Sequence, residues 1–374
     1  MGSSPSLPIP SATGPQTDLK IPSSVLASNS SYRSFLASQL GIFLDLASID
    51  RAFNKEDVSM NELKRRVWKF LGSRRPCRIS VAQRVETGLT ILGGIVGGNS
   101  NVAMLHRVAD GDGEGHSEVA TLNCSKTPLC LEAAYTKSDG DLEDMVTDGQ
   151  DNIYFLCKNR VYRMTAGAGA EATPVEVPTD LAILNPDCRI DYIRYYNGML
   201  YLYDHSHGQL WGLPATGGAC KQVYAFDADW PISAFDVRNR HGRYEILSCS
   251  NDSNDCIHWM IEGESSPKII DVPYAARCRF LDHPTANLAV VGCSKPCGVR
   301  IIDLDRNEDL CCIDLPEAAK SVCSVVVNSN ASQIYITEWR VQHTFVTQMF
   351  VHYYTEDSQQ LQREASAEEP LVEA

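Results

Sequence analysis

Short runs of alternating apolar and polar residues recur at a regular interval between residues 79 and 355. Alternation with a period of two residues predicts β-strands that bury one face. Four of these runs end at Pro178, Phe226, Pro273 and Pro316, which are 48, 47 and 43 residues apart. Three of the four end at proline, which cannot donate a hydrogen bond to a neighbouring strand. The pattern therefore predicts an internal repeat.

Each repeat contains about four short strands, separated by turns rich in Gly, Asn, Asp, Ser or Pro. Four antiparallel strands in a repeat of this length are typical of one blade of a β-propeller, and the number of repeats predicts six blades. The last repeat lacks a clear fourth strand, and we expect residues 79–85 to supply it and close the ring. The regular period disfavours the alternative, a β-sandwich or a pair of sandwiches.

The sequence divides into four segments around this repeat. Residues 79–355 are predicted to form the propeller, and residues 31–75 a helical segment. Residues 1–30, rich in Ser, Pro and Gly, and the acidic residues 356–374 are predicted to be disordered. The sequence thus predicts an all-β fold, a six-bladed β-propeller with an N-terminal helical hairpin.

The helical hairpin is predicted from apolar spacing and a capping pattern. Ser59 and Glu62 form a capping box at the start of the second helix, and Gly72 ends it. We expect the hairpin to pack on the propeller, and docking to a partner protein is the alternative. The apolar face of the first helix comprises Tyr32, Phe35, Leu36, Leu40, Phe43, Leu44 and Ala47.

Composition narrows the class of function. The chain has 374 residues, 44% of them hydrophobic, and a formal net charge of −14. This acidic balance argues against a nucleic-acid-binding surface and favours partners with basic patches. The first twenty residues lack the apolar core of a secretory signal, so the 14 cysteines are expected to be reduced thiols in a cytoplasmic protein. Four N-x-S sequons keep secretion as the alternative.

A basic patch interrupts the acidic chain. Residues 62–78 carry a net charge of +6, and such a run is usually a solvated or internally docked helix face. Met1 and Gly2 begin an M-G-x-x-x-S pattern typical of N-myristoylation, for which a basic patch is a common second membrane signal. The patch comprises Lys64, Arg65, Arg66, Lys69, Arg74 and Arg75.

Two acidic clusters are candidate Ca²⁺ sites. Asp110, Asp112 and Glu114 alternate with glycines, which offers oxygen ligands on a flexible loop. The cluster is not an EF-hand, because Thr121 stands where the bidentate Glu would be. Solvated hairpin tips are the alternative, and we otherwise expect no cofactor. The second cluster comprises Asp139, Asp141, Glu143 and Asp144.

Cysteine and histidine pairs are weaker candidates for a metal site or a catalytic site. Cys293 and Cys297 are expected at the opposite end of a blade from Cys311 and Cys312, so a tetrahedral zinc site is disfavoured and core thiols are expected. Asp204, His205, Ser206 and His207 follow one another, without the supporting motif of a nucleophilic triad. We expect this stretch to be a polar hairpin tip.

Residues 148–154, with the sequence DGQDNIY, resemble the D-G-x-G-N-x-Y turn and strand of NHL-type and gluconolactonase-like propellers. Asp151 departs from the pattern, where those proteins usually have Gly. The resemblance implies a six-bladed propeller. For the gluconolactonase-like group it also implies a metal-dependent hydrolase, with a divalent cation held in the central channel by Glu, Asn and Asp side chains. Glu143, Asp191 or Asp236 could offer oxygens there.

Three functions are compatible with these features. The first is a non-catalytic protein-interaction scaffold with one or more protein partners, and the sequence favours it over an enzyme. The alternatives are a metal-dependent lactonase or esterase and a membrane-associated adaptor that uses Gly2 and the basic patch. Four tryptophans near strand ends are candidate contact residues, although packing between blades is the expected role: Trp211, Trp230, Trp259 and Trp339.

Overall fold

The structure is a computed structural model in which part of the chain is described. The described residues are 20–21, 58–59, 75–86, 95–97, 101–108, 116–123, 130–137, 142–148, 152–165, 174–179, 187–227, 230–250, 256–316, 319–327, 333–340 and 343–354. All the regular structure that they contain is β-strand. No helix in these ranges has the length and hydropathy needed to span a bilayer.

The described strands form six four-stranded antiparallel sheets. Sheet 1 contains β4 (Ile95–Gly97), β5 (Asn101–Val108), β6 (His116–Asn123) and β7 (Cys130–Lys137). Sheet 2 contains β8 (Leu142–Thr147), β9 (Asn152–Cys157), β10 (Arg160–Thr165) and β11 (Val175–Glu176). Sheet 3 contains β12 (Ile190–Tyr196), β13 (Met199–Asp204), β14 (Gln209–Pro214) and β15 (Lys221–Ala225).

The remaining three sheets follow in chain order. Sheet 4 contains β16 (Ile232–Arg240), β17 (Arg243–Ser250), β18 (Cys256–Ile261) and β19 (Lys268–Asp271). Sheet 5 contains β20 (Ala275–Leu281), β21 (Leu288–Ser294), β22 (Cys297–Asp303) and β23 (Glu308–Asp314). Sheet 6 contains β24 (Ser321–Val327), β25 (Gln333–Arg340), β26 (His343–Tyr354) and β3 (Arg75–Glu86).

Burial along each sheet follows the position of the strand. In sheet 4, the strand β17 buries its last six residues, whereas β19 exposes all but Ile270. Strands in the middle of a sheet are covered on both faces, so their sequences are nearly continuously apolar. Tight turns join the strands, as at Asn197 and Gly198, whose φ angles of 47° and 79° suit a two-residue hairpin turn.

The hydrophobic core lies between neighbouring sheets. One cluster packs sheet 5 against sheet 6, and its fully or almost fully buried members include Val290 and Val299 of sheet 5 and Val325 and Ile336 of sheet 6. The first strand of each sheet also contacts the first strand of the next, in the order β4, β8, β12, β16, β20 and β24, and β24 returns to β4. The fold is therefore an all-β propeller, and these six first strands are its inner strands.

The strand β3 completes the last sheet. It pairs antiparallel with β26, from Glu86 opposite Phe345 to Arg75 opposite Tyr354. A hydrogen bond of 2.7 Å between Ser80 Oγ and His352 Nε2 reinforces the pairing. The prediction that residues 79–85 supply the missing fourth strand is confirmed, and β3 extends beyond both of the predicted ends.

The N-terminal predictions fall largely outside the described residues. Strand β1 (Lys20–Ile21) pairs with strand β2 (Val58–Ser59) in a two-stranded sheet. The structure thus places strands within the segment predicted to be disordered and at Ser59, where the capping pattern predicted the start of a helix. The rest of the predicted hairpin lies outside the described residues.

Candidate functional site

The inner strands of sheets 2 to 6 line a central channel. At one end of the channel, a cavity of about 40 Å³ is bounded by side chains from all five of these strands. Beyond it the channel widens into a mouth of about 210 Å³. The guanidinium groups of Arg194 and Arg279 border both spaces and mark the division between them.

A buried ion pair joins sheets 2 and 3 at this division. The carboxylate oxygen Oδ2 of Asp144 accepts hydrogen bonds from the backbone N–H of Ile193 at 3.0 Å and from Nη1 of Arg194 at 2.6 Å. Arg194 Nε donates in turn to the backbone oxygen of Phe235 in sheet 4, at 2.9 Å. Asp144 was predicted to lie in an acidic loop that could bind Ca²⁺ or be solvated. Instead it is a buried residue of the inner strand β8.

The same arrangement recurs between sheets 4 and 5. Asp236 Oδ2 accepts a hydrogen bond from the backbone N–H of Phe280 at 2.9 Å, and Asp236 Oδ1 lies 3.8 Å from Nη1 of Arg279. Arg279 Nε donates to the backbone oxygen of Val325 in sheet 6, at 3.0 Å. In both places an aspartate of one inner strand holds a backbone N–H and an arginine of the next. These contacts fix the spacing of the sheets around the channel.

Arg277 borders the narrow cavity, and its guanidinium donates to backbone oxygens. Its Nε donates to the backbone oxygen of Cys323 at 2.7 Å, and its Nη1 donates to those of Ser233 at 3.1 Å and Ala276 at 2.8 Å. Among the described residues, no carboxylate lies within ion-pair distance of this guanidinium. Within the described part of the chain, the groups that compensate its positive charge are these carbonyl dipoles.

Burial and neighbouring charges shift the pKa values of two channel residues, Arg279 and Tyr192. The pKa of Arg279 is lowered to about 10, mainly by burial and also by the positive charge of Arg194, while Asp236 and Asp144 oppose the shift. Burial raises the pKa of Tyr192, and the positive charge of Arg277 opposes that rise. The channel is therefore a place where positive charge is crowded and poorly solvated.

The described channel residues do not fit a divalent cation of the gluconolactonase-like type. Such an ion needs several carboxylate or amide oxygens that converge on one point. Here the carboxylates of Asp144 and Asp236 already accept hydrogen bonds from backbone N–H groups and face guanidinium groups. Asp191 pairs with Arg189 at 2.8 Å instead. Within the described ranges, no group of three or more His, Cys, Asp or Glu residues could hold a metal ion.

The wide mouth is bordered by a second buried pair. Arg238 donates to Glu245 Oε2 from Nε at 2.9 Å and from Nη2 at 2.6 Å, and the indole N–H of Trp259 donates to the same oxygen at 3.1 Å. Arg238 Nη2 also donates to Asn287 Oδ1 at 2.7 Å. The described contacts of Arg238 tie the inner strand β16 to Glu245 and Asn287, so this arginine serves the framework of the mouth.

A separate groove opens between the outer parts of sheets 3 and 4. It has a volume of about 320 Å³ and an apolar wall that includes Val223, Tyr244 and Met260. Tyr244 is 37% exposed and Val223 is also 37% exposed. The rim carries the carboxylates of Glu262 and Glu264, and Arg243 lies 3.8 Å from the latter.

Several other predicted candidates lie outside the described residues. They are Gly2, Asp110, Asp112, Glu114, Asp139, Asp141, Lys64, Arg65, Arg66, Lys69 and Arg74. Arg75 is described, and it begins β3 at the edge of sheet 6. The basic patch and the Ca²⁺ loop therefore remain predictions.

Three of the remaining candidates have structural roles. Asp204 is a buried residue that accepts a hydrogen bond from the backbone N–H of Ser206 and lies 2.6 Å from Nδ1 of His207, as expected of a polar hairpin tip. Trp230 and Trp259 are buried, which confirms the packing role and removes both as surface contact residues. The cysteines among the described residues are all free thiols.

Comparison with solved structures identifies the class of protein. The fold is similar to that of the calcium-binding protein regucalcin from Agrobacterium tumefaciens strain C58, with a TM-score of 0.51, 11% sequence identity, and coverage of 74% of this chain and 97% of that one. It is also similar to glutaminyl cyclase from Myxococcus xanthus, with a TM-score of 0.36, 12% identity, and coverage of 74% and 99%. This chain is a β-propeller, as the repeat predicted.

At 11% identity, the likeness to regucalcin concerns the fold alone. No protein-family model matches the sequence, and no curated protein matches it either.

Proposed function

We propose that this chain is a non-catalytic protein-interaction scaffold built on a six-bladed propeller. One observation carries the proposal: the inner-strand carboxylates Asp144 and Asp236 bind backbone N–H groups and arginines of the next sheet. In a metal-dependent hydrolase these positions would instead have to present oxygens to a cation and a substrate. In this chain they tie neighbouring blades together, and rigid blades are what a scaffold requires.

Six blades are supported by the six four-stranded sheets and by the contact of β24 with β4. We propose that the helical segment predicted for residues 31–75 packs on the outside of this ring. Free thiols throughout the described residues support a reducing compartment such as the cytoplasm.

We propose the groove between sheets 3 and 4 as the contact surface for a partner protein. Its apolar wall suits a short segment with apolar side chains. At the rim, Glu262 accepts the backbone N–H of Tyr244 and Glu264 lies 3.8 Å from Arg243, which leaves one net negative charge among these three side chains to attract a basic residue. The net charge of −14 attracts the same type of partner from a distance. The proposed occupant is therefore an apolar segment flanked by Lys or Arg, in another protein.

The test is the native size of the endogenous protein in a gentle extract, with cross-linking and mass spectrometry of the co-eluting chains. We expect elution well above 41.3 kDa and cross-links that join the groove to a basic and apolar segment. Tyr244→Glu should remove that partner. Val175→Glu, which changes an exposed valine on the outer strand of sheet 2, is the matched control and should retain it. A lone monomer, or equal loss in both variants, would contradict the proposal.

A metal-dependent lactonase is the second candidate, favoured by the fold shared with a calcium-binding propeller. It requires turnover of a small lactone panel in the presence of Ca²⁺, Mn²⁺ or Zn²⁺, together with a metal-dependent rise in melting temperature. We expect neither, because the channel arginines repel a cation. Turnover that EDTA abolishes would favour the enzyme over the scaffold.

A further inference from the structure

We propose that Ser266 is a substrate site for a proline-directed serine kinase, and that phosphate at this position strengthens the attraction of the groove for a basic partner segment. The second part rests on the proposed scaffold function, because Ser266 borders the same groove. The first part, the modification itself, depends only on the position and exposure of Ser266.

Ser266 lies in the loop that joins β18 to β19, the outermost strand of sheet 4. Residues 262–266 of this loop are all exposed, and Pro267 is partly buried. Within the described part of the chain, no hydrogen bond or ion pair uses the Ser266 side chain. The hydroxyl is therefore open to a kinase, and modifying it removes no contact in these ranges.

The residue after Ser266 indicates the class of kinase. Of the serines and threonines in the described ranges, Ser266 is the one that a proline follows. Pro267 disfavours helical φ and ψ angles at Ser266 and biases it toward extended backbone. A kinase that binds its substrate as an extended chain, and accepts a proline after the serine, therefore meets a loop that is already biased toward the bound conformation.

The modification is the transfer of the γ-phosphoryl group of ATP to Oγ of Ser266. A P–O bond to Oγ forms as the bond between the γ-phosphorus and the oxygen that bridges it to the β-phosphorus breaks. ADP leaves, and the hydroxyl proton passes to the catalytic Asp of the kinase. The product carries a charge of about −1.5 to −2 at neutral pH.

Phosphate at Ser266 changes the charge of the groove rim. Glu262 and Glu264 border the groove beside Ser266, and Arg243 supplies a positive charge there. The Nε and Nη2 atoms of Arg243 donate to the backbone oxygen of Glu262, at 2.9 and 2.6 Å. These three side chains have a net charge of −1. With phosphate on Ser266, the net charge of the rim becomes about −2.5 to −3.

The nearby Lys268 does not offset this charge at the groove. Its ammonium lies 4.5 Å from the centroid of the Trp259 ring. Trp259 belongs to the core between sheets 4 and 5, on the opposite face of sheet 4 from the groove. A Lys or Arg of the partner segment would therefore form charge-assisted hydrogen bonds with the phosphate, while the apolar wall stays unchanged.

The site is tested by treating the full-length chain with a cyclin-dependent kinase and ATP, followed by phosphopeptide mapping. We expect phosphate on Ser266 in the unmodified protein and in Ser265→Ala, and a large loss of it in Pro267→Ala. Ser265 is the matched control, because it is exposed in the same loop but precedes a serine. Absence of phosphate from Ser266 in the folded chain, or unchanged phosphorylation in Pro267→Ala, would overturn the site.

The effect on the groove is tested with a labelled synthetic peptide, a leucine and phenylalanine core between lysine pairs, by fluorescence anisotropy. The phosphorylated chain should bind it about three- to tenfold more tightly than the unphosphorylated chain, as expected for one or two exposed ion pairs. The difference should shrink at high salt, because salt screens exposed charges. A peptide with glutamate in place of lysine should gain nothing. Equal affinity of the two protein forms for the lysine peptide would overturn the role of the phosphate.

Failure of this inference can be distinguished from failure of the proposed function. Tyr244→Glu tests the groove itself, because Tyr244 forms part of its apolar wall, and it should abolish peptide binding in both protein forms. Binding that persists in Tyr244→Glu would contradict the groove as a contact surface, whatever the state of Ser266. Binding that Tyr244→Glu removes but phosphorylation leaves unchanged would contradict the role of Ser266 alone.

Discussion

The guanidinium of Arg194 lies 2.6 Å from the carboxylate of Asp144, which precedes it by 50 residues and belongs to the neighbouring sheet. Both side chains are buried, with 7% and 6% of their surfaces exposed. The carboxylate also accepts the backbone N–H of Ile193. The pair therefore joins two blades of the propeller at the wall of the channel.

Asp144→Ala should lower the free energy of unfolding by about 3–5 kcal/mol, because it leaves the Arg194 charge buried without its partner. Urea denaturation followed by far-UV circular dichroism would measure the change. The matched control is Glu176→Gln, which breaks the exposed pair of Glu176 with Arg160 and should change stability by less than about 1 kcal/mol. Equal effects of the two substitutions would show that the Asp144 pair does not join the blades.

The position of β3 in the core can be tested with two substitutions on this strand. Ile79 is 5% exposed and belongs to the core between sheets 5 and 6, whereas Val81 is 47% exposed. Ile79→Asp should cost at least about 3 kcal/mol, because it buries a charge without a partner. Val81→Asp should cost about 1 kcal/mol or less. Urea midpoints would measure both, and similar midpoints would contradict the position of β3 in the core.

Stability should fall with pH as His352 becomes protonated. Burial lowers the pKa of His352, and the nearby positive charge of Arg78 lowers it further. The folded state therefore favours the neutral imidazole, so its contribution is complete above the unfolded pKa of about 6.5 and is lost as pH falls below that value.

The measurement is the difference in unfolding free energy between the unmodified protein and His352→Gln from pH 8 to pH 5. Glutamine can still bond to Ser80 but does not titrate, so the variant should lose less stability on acidification. His258, whose pKa burial also lowers, is present in both proteins and cancels in the difference. Parallel pH profiles would refute the assignment to His352.

Close packing between sheets 5 and 6 leaves no room for a methyl group at Gly292. A Cβ there would lie 2.7 Å from Cγ1 of Val322. Gly292→Ala should therefore cost about 1–3 kcal/mol through overpacking, measured by thermal unfolding. Gly212→Ala is the control, because its nearest neighbour is the half-exposed side chain of Val223, which can move aside. An equal loss in both would mean that the sheets separate readily.

The repeat could be predicted from the sequence because the outer strands of sheets 2, 4 and 5 are each followed by a proline that marks their end. The run from residue 268 to Pro273 alternates and stops at a proline, and the structure places β19 there. Residues 79–85 were assigned to the last sheet because its repeat lacked one strand. The first inference needs only the sequence of one strand, and the second needs only a count of the strands in each repeat.

The channel could not be predicted in the same way. Asp144 was assigned with Asp139 and Asp141 to an acidic loop, whereas the structure places it in the inner strand β8. Glu143 and Asp236, which were also considered as channel residues, do border the channel. The strand β7 was also missed, because its sequence CLEAAYTK alternates poorly. The contacts of Arg194 and Arg277 depend on the distance between sheets, and no pattern within one strand reports that distance.

The pairing of β3 with β26 has a consequence for synthesis on the ribosome. Ser80 and His352 are 272 residues apart in the chain, yet they share a hydrogen bond in the same sheet. The nascent chain must therefore hold β3 without its partner while the other blades emerge, and the last sheet can form only after β26 has been translated. Until then the unpaired edge of β3 can pair with other strands, and completion of this sheet removes that route to aggregation.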